Sequence, residues 1–193
     1  MGARRLLPAA LAGFVAAHPD VELTVREAEP EAAAPMVRGG GADLALAYHF
    51  DGPLPLRGAL EWTPLMDDPL WLALPPEHRL AGRDSLALAE LAAERWVLGC
   101  LKTEAYLRRY AGLAGFDLRV AASTSDYFFA QTLVAAGVGV ALIPQVSLAP
   151  EASVALVRVE PPRPARHIGV VTPHRRRPHA QALTAALAEA ASR

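Results

Sequence analysis

WVLGCLKTEAYLRRYAGLAGFDLRVAASTSDYFFAQTLVAAGVGVALIP, Trp96–Pro144, carries short apolar runs separated by longer amphipathic ones. Trp96–Gly99, Leu118–Ala122 and Val138–Ile143 have strand length and composition, while Glu104–Leu113 and Tyr127–Ala136 have helical spacing. Ser123-Thr124-Ser125-Asp126 supplies polar residues to open the second helix, and Gly137 closes it in the left-handed conformation. Strands alternating with helices predict an α/β protein with mainly parallel sheets.

Outward from this block the alternation continues. Toward the C-terminus, strands at about 154–160 and 166–172 flank a Pro-rich segment, and a last helix covers about 179–191. Toward the N-terminus, Ser85 is placed to cap a short helix through Ala93. Strands at about 59–64 and 69–75 are split by Asp67-Asp68-Pro69, and residues 49–58 form a loop rich in Gly and Pro. The chain opens on a helix whose Leu6, Leu7, Ala10, Leu11, Phe14 and Val15 share one face. Val21, Leu23 and Val25 then alternate with polar residues as a half-buried strand. A helix near Glu31–Arg38 ends at Gly39-Gly40-Gly41, and Asp43–Tyr48 is apolar enough for a strand buried on both faces. Residues 69–168 hold a full alternation and predict one lobe. Residues 1–68 and 169–193 share the other, so two crossing strands and a cleft are expected.

Composition narrows the function classes. With 193 residues, 19 basic against 20 acidic and a net charge of −1, the chain has no global field for nucleic acid. One cysteine excludes an internal disulfide framework and any CxxC zinc module. No apolar run approaches membrane-spanning length and no secretory leader opens the chain, so a cytoplasmic protein without membrane contact is expected.

The familiar chemical motifs fail on context. Gly137-Val-Gly139 follows a helix and precedes a strand, the reverse of a phosphate-binding loop. Gly139 instead lets helix and strand pack closely. Gly39-Gly40-Gly41 is not followed by Lys-Ser or Lys-Thr. His174 and His179 do not share a helix face and have no carboxylate placed beside them, so no metal is expected. Arg175-Arg176-Arg177 reads as a solvated turn. No GxSxG elbow is present, and an isolated cysteine is more often a small buried hydrophobe than a nucleophile. No catalytic residue and no cofactor are assigned.

What remains is a set of helix starts near Ala3–Leu6, at Thr103-Glu104 and at Thr124–Asp126, each offering backbone donors and partial positive charge. Lys102, the only lysine, stands at the second. Three such ends around a cleft favour a small anion, and nearby Tyr48, Tyr127 and Phe128 favour a flat apolar part. A small, partly apolar carboxylate is the expected ligand. Asp126 argues the other way, because an acid at a helix start competes for the same donors.

Four segments resemble the effector-binding domain of LysR-type transcriptional regulators, in the family's order and over essentially the whole chain. They are LLPAALAGFVAAHPDVELTV (6–25), GGGADLALAY (39–48), DPLWLALPPEHRLAGRDSLALAELAAERWVL (68–98) and TLVAAGVGVALIPQ (132–145). The resemblance implies two α/β lobes of the periplasmic-binding-protein type (type II) joined by two hinge crossover strands, with a small effector in the cleft. It also implies pairing of regulatory domains into homodimers or higher oligomers. Carried over by position, the effector contacts fall on Ala3 and Arg4; on Tyr48 and His49; on Cys100, Leu101, Lys102 and Thr103; and on Thr124, Ser125, Asp126 and Phe128. Two departures stand out. The family's N-terminal winged helix-turn-helix and linker helix have no counterpart in these 193 residues, so DNA would be reached only through such a domain. The family's regulatory domain also begins with a central strand, whereas here Met1-Gly2-Ala3-Arg4 leads straight into the opening helix, as expected of a fragment, a misassigned start or an orphan effector domain. The rival readings are a solute-binding protein of the same fold, which would need a leader, and an enzyme built on it, for which His49 with Cys100 is the pair to test.

Overall fold

The structure is a computed structural model that describes residues 3–28 and 30–192, with the side chains of 3–5, 30, 31 and 102 outside that description. In chain order it forms α1 (Ala3–Ala17), α2 (Pro30–Arg38), β1 (Ala45–His49), β2 (Leu60–Leu74), β3 (Ser85–Leu86), β4 (Arg95–Leu98) and α3 (Glu104–Leu113). β5 (Arg119–Ser123), α4 (Tyr127–Ala135), β6 (Ala141–Pro144), β7 (Ala155–Val159), β8 (Ala165–Pro173) and α5 (Pro178–Ala191) follow. The chain divides into two compact units, Met1–Asp68 with Arg166–Arg193, and Pro69–Ala165.

In the first unit β1 runs antiparallel to β8, with Ala47 opposite Gly169, and β8 lies beside β2 in the same sheet. Gly169 permits this spacing. A Cβ there would stand 2.4 Å from the Trp62 ring of β2. Val37 of α2 buries against Ala47, Leu60 and Val171, so the one apolar stripe of α2 is its contact with the sheet. α1 packs on α5: Leu6, Ala10 and Phe14 are buried at four-residue spacing, and Ala180, Leu183, Thr184 and Leu187 at the i, i+3, i+4, i+7 spacing of one helix face. Val15, placed on the same face by its period, remains half exposed.

In the second unit the latter part of β2 pairs antiparallel with β6 (Leu72 opposite Leu142) and with β7 (Leu72 opposite Val157). β7 pairs parallel with β3, and β4 pairs parallel with β5. Ala73, Val97, Tyr127, Ala130, Val134, Ala141 and Ile143 form a core that ties α4 to these strands. Gly137 ends α4 with φ of +78°, and Val138 N–H reaches back to Leu133 C=O at 3.0 Å, the six-residue closure of a glycine-stopped helix. Gly139 works differently from its expected role. It allows the Arg95 carbonyl of β4 to approach, which a Cβ would meet at 2.4 Å, so strand-to-strand packing requires it.

Several expectations are corrected. Residues 21–28 carry the alternation of a strand but form none, because no described strand lies in register to accept their hydrogen bonds. The break expected at Asp67-Asp68-Pro69 does not interrupt β2, which continues through all three. Asp68 is fully buried there against Arg166, whose Nε donates to Asp68 Oδ2 at 3.0 Å. Leu70 N–H, just past the proline, donates to Pro164 C=O at 2.9 Å. Ser85 caps no helix. It lies in β3, its hydroxyl donates to Glu160 at 3.2 Å, and only a single 3-10 turn, Leu88–Leu91, follows. β1 buries Ala47 alone and pairs antiparallel, so its apolar run is not that of a doubly covered parallel strand. Antiparallel pairs exceed the expected share throughout, since strand direction depends on long-range returns that local pattern does not encode.

Candidate functional site

The parallel pair β4 and β5 ends with Leu98 opposite Ser123, and both strands turn into helices at this edge. β4 leads through Gly99 and Cys100 into the 3-10 turn Leu101–Thr103 and then α3. β5 leads through Thr124–Asp126 into α4. Thr124 N–H donates to Leu98 C=O at 2.8 Å, so the two loops are joined by backbone as they leave the sheet. The carboxyl edge of parallel strands is where α/β folds gather ligand contacts, because the following helices point their N-termini there.

Each loop is held by its own polar groups. Thr103 is buried, and its hydroxyl donates to Cys100 C=O at 2.8 Å while its N–H reaches the same carbonyl at 3.1 Å. The side chain therefore closes the 3-10 turn and does not cap α3. On the other loop Asp126 caps α4: its Oδ1 accepts from Phe128 N–H at 2.7 Å, and its own N–H donates to Thr124 Oγ1 at 3.1 Å. The acid at this helix start thus takes one of the first-turn donors for itself. Ser125 and Leu101 are exposed, Cys100, Thr124 and Phe128 half-buried. Lys102 lies in the turn, with its side chain outside the described residues.

The remaining candidates belong to the first unit. Tyr48 and His49 close β1. The Arg166 guanidinium stands 4.6 Å from the centre of the Tyr48 ring, and Phe50 meets that ring edge-on. His49 Nδ1 accepts from Asp51 N–H at 3.3 Å. Ala3 and Arg4 begin α1, with both side chains outside the described residues. Of the three helix starts, the structure brings two together within one unit.

Sequence reasoning missed one residue that builds this edge and misread the role of another. Gly99 is one: a Cβ would fall 2.3 Å from the Tyr127 ring and 3.3 Å from Ala130 Cβ, so only glycine lets the β4 loop lie against the first turn of α4. Tyr127 is the other. At 3% exposure it is a core residue and not the flat ligand contact expected of it. A glycine directly after a buried strand was the available signal for the first; nothing local marked the second. His174 and His179 part company, His174 to Glu61 at 2.7 Å and His179 to the ring of His18, so a carboxylate does stand beside His174, where none was expected. Arg176 and Arg177 of the basic run engage Glu61 and Asp43.

Residues 1–192 match the family described as the LysR substrate binding domain. The chain belongs to that family. Its fold is the family's two-lobed α/β fold of the periplasmic-binding-protein type, and the C-terminal domain of a probable LysR family regulator from Rhodococcus shares it. That structure has a TM-score of 0.81 and 26% identity, covering 96% of this chain and 93% of the other. A probable hydrogen peroxide-inducible genes activator from Mycobacterium avium is 34% identical over 86% of this chain and 54% of its own length. The effector-binding domain of BenM, solved with its effector benzoate, matches in fold with a TM-score of 0.78 at 18% identity, over 95% of this chain and 85% of that one. This LysR-family domain therefore spans about half the length of the curated relatives it matches. Among the described residues, no helix is long and apolar enough to cross a membrane.

Proposed function

We propose that this LysR-family domain senses a small, partly apolar carboxylate, for a cytoplasmic transcription regulator, without catalysing a reaction on it. The observation that carries the reading is the backbone-joined pair of loops at the carboxyl edge of β4 and β5, linked by Thr124 N–H to Leu98 C=O at 2.8 Å. Two helix starts side by side concentrate donors and positive dipole ends on one spot. The assigned contacts there are Cys100, Leu101, Lys102, Thr103, Thr124, Ser125, Asp126 and Phe128. Tyr48 and His49 of β1 and Ala3 and Arg4 of α1 are the contacts assigned in the other unit. BenM's domain, of the same fold, holds benzoate, an acid of this class. DNA recognition and self-association belong to the same proposal, the former through a separate domain. Regulation rather than catalysis is supported by the relatives, which are transcriptional regulators.

The test is calorimetry or a thermal-shift screen with matched acids and amides. Acids should raise the melting temperature and their amides should not. Lys102→Ala should weaken the best acid by about tenfold, the loss of one charge-assisted contact of about 1.4 kcal/mol. Equal effects from acids and amides, or unchanged binding by Lys102→Ala, would overturn the anion-site reading.

A further inference from the structure

A second concavity lies in the unit Pro69–Ala165 and shares no residue with the β4–β5 edge. It is an open hollow of about 180 Å³, lined by Trp71, Gln145, Arg158 and Arg163 with the apolar Leu70 and Val159. Its polar side chains have one character. The Arg158 guanidinium stands 5.3 Å from the centre of the Trp71 ring, which holds the planar group in place by cation–π attraction. Arg163 Nε donates to Val159 C=O at 2.8 Å, fixing the root of its fork. The Trp71 indole N–H donates to Gln145 Oε1 at 3.3 Å, so that amide's acceptor is taken and its NH₂ group remains a donor.

Every group left over is thus a hydrogen-bond donor, and two carry full positive charge. Among the described residues no carboxylate pairs with Arg158 or Arg163, whereas Arg79, Arg83 and Arg108 are each paired with a glutamate. Two like charges converging on a small concavity repel each other, and an anion between them reverses the sign of that interaction. Guanidinium forks match the geometry of carboxylate and phosphate oxygens. The space is smaller than the roughly 300–1,000 Å³ of a drug-sized site, so the occupant has few heavy atoms. Leu70, Val159 and the indole edge accommodate a short apolar part.

We propose that this concavity is a second ligand site, for a small oxyanion of the carboxylate or phosphate class, bound between Arg158 and Arg163. The experiment follows the indole N–H of Trp71 by NMR in the whole 193-residue chain, with the resonance assigned by its loss in Trp71→Phe. Benzoate, benzamide and inorganic phosphate are titrated at constant ionic strength. At least one of the two anions should move the resonance saturably, and the tighter of them separates carboxylate from phosphate chemistry. Benzamide should leave it in place. Arg158→Gln and Arg163→Gln should each weaken the anion tenfold or more with an unchanged melting temperature, while Lys102→Ala should leave the Trp71 response intact. No saturable shift, an equal response to benzamide, or undiminished binding in both arginine variants would overturn the proposal. Loss of the response in Lys102→Ala would overturn it too, by assigning the anion to the β4–β5 edge.

Discussion

Gly99 and Glu61 show how single residues decide local behaviour for opposite reasons, one by lacking a side chain and one by the company its charge keeps. At Gly99 an added methyl meets the Tyr127 ring at 2.3 Å, and that ring is held in the core by Val97, Ala130 and Ile143. Gly99→Ala should therefore destabilise the fold by about 1–3 kcal/mol, the cost of overpacking, read from urea denaturation. The same variant should weaken acid binding, because the displaced loop carries Cys100–Thr103. Glu61 accepts hydrogen bonds from His174 Nδ1 and from Arg176, and these, His174 foremost, hold its carboxyl below its ordinary value of 4.5. A carboxyl depressed in the folded state stabilises above its unfolded pKa, and that contribution is lost as pH falls through the folded value. Glu61→Gln should thus lower the melting temperature near neutral pH, with the difference from the parent chain closing as the pH falls below the ordinary value of 4.5 and through the lowered folded one. A difference that persists unchanged into acid would show that packing, not charge, is what Glu61 supplies.

At the scale of elements, residues 21–28 are the instructive failure. Their alternation of Val21, Glu22, Leu23 and Thr24 is that of a half-covered strand, and Val21 and Leu23 are indeed less exposed than their neighbours. A strand also needs a ladder, and a neighbour's hydrogen-bonding edge is not written in the segment itself. Hydrogen exchange should find amides 21–28 poorly protected, against strong protection in β6 and β8, whose residues are buried and paired on the sheet. Protection of 21–28 comparable to β8 would mean that a partner strand covers them in solution. Helices fared better because their evidence is local. Glu104–Leu113 is found at the bounds its spacing predicts, and α4 stops where Gly137 supplies the left-handed residue. Ser85 misled for the converse reason: a good cap residue is also a good strand-end donor, and Glu160 outcompeted the helix for its hydroxyl.

For the whole molecule, the proposed self-association rests on the family resemblance and on the apolar face of α1, where Val15 stays exposed. Light scattering at micromolar concentration should report a dimer, and a clean monomer at high concentration would remove that part of the proposal. The α/β class and the four segments that mark the family were legible before any coordinates, because helix periodicity, glycine stops and apolar runs depend on near neighbours in the chain. The positions of the candidate loops were legible too, as the ends of Trp96–Gly99 and Leu118–Ala122. Their adjacency was not. That Leu98 accepts from Thr124, that Gly99 lies under Tyr127, and that Arg158 covers the Trp71 ring are contacts between residues far apart in sequence. Sequence alone determined which elements form, through short-range sterics and hydrogen bonding. Tertiary structure alone decided strand direction, the burial of Asp68 with Arg166, and which donors share a site, because these depend on where distant segments return.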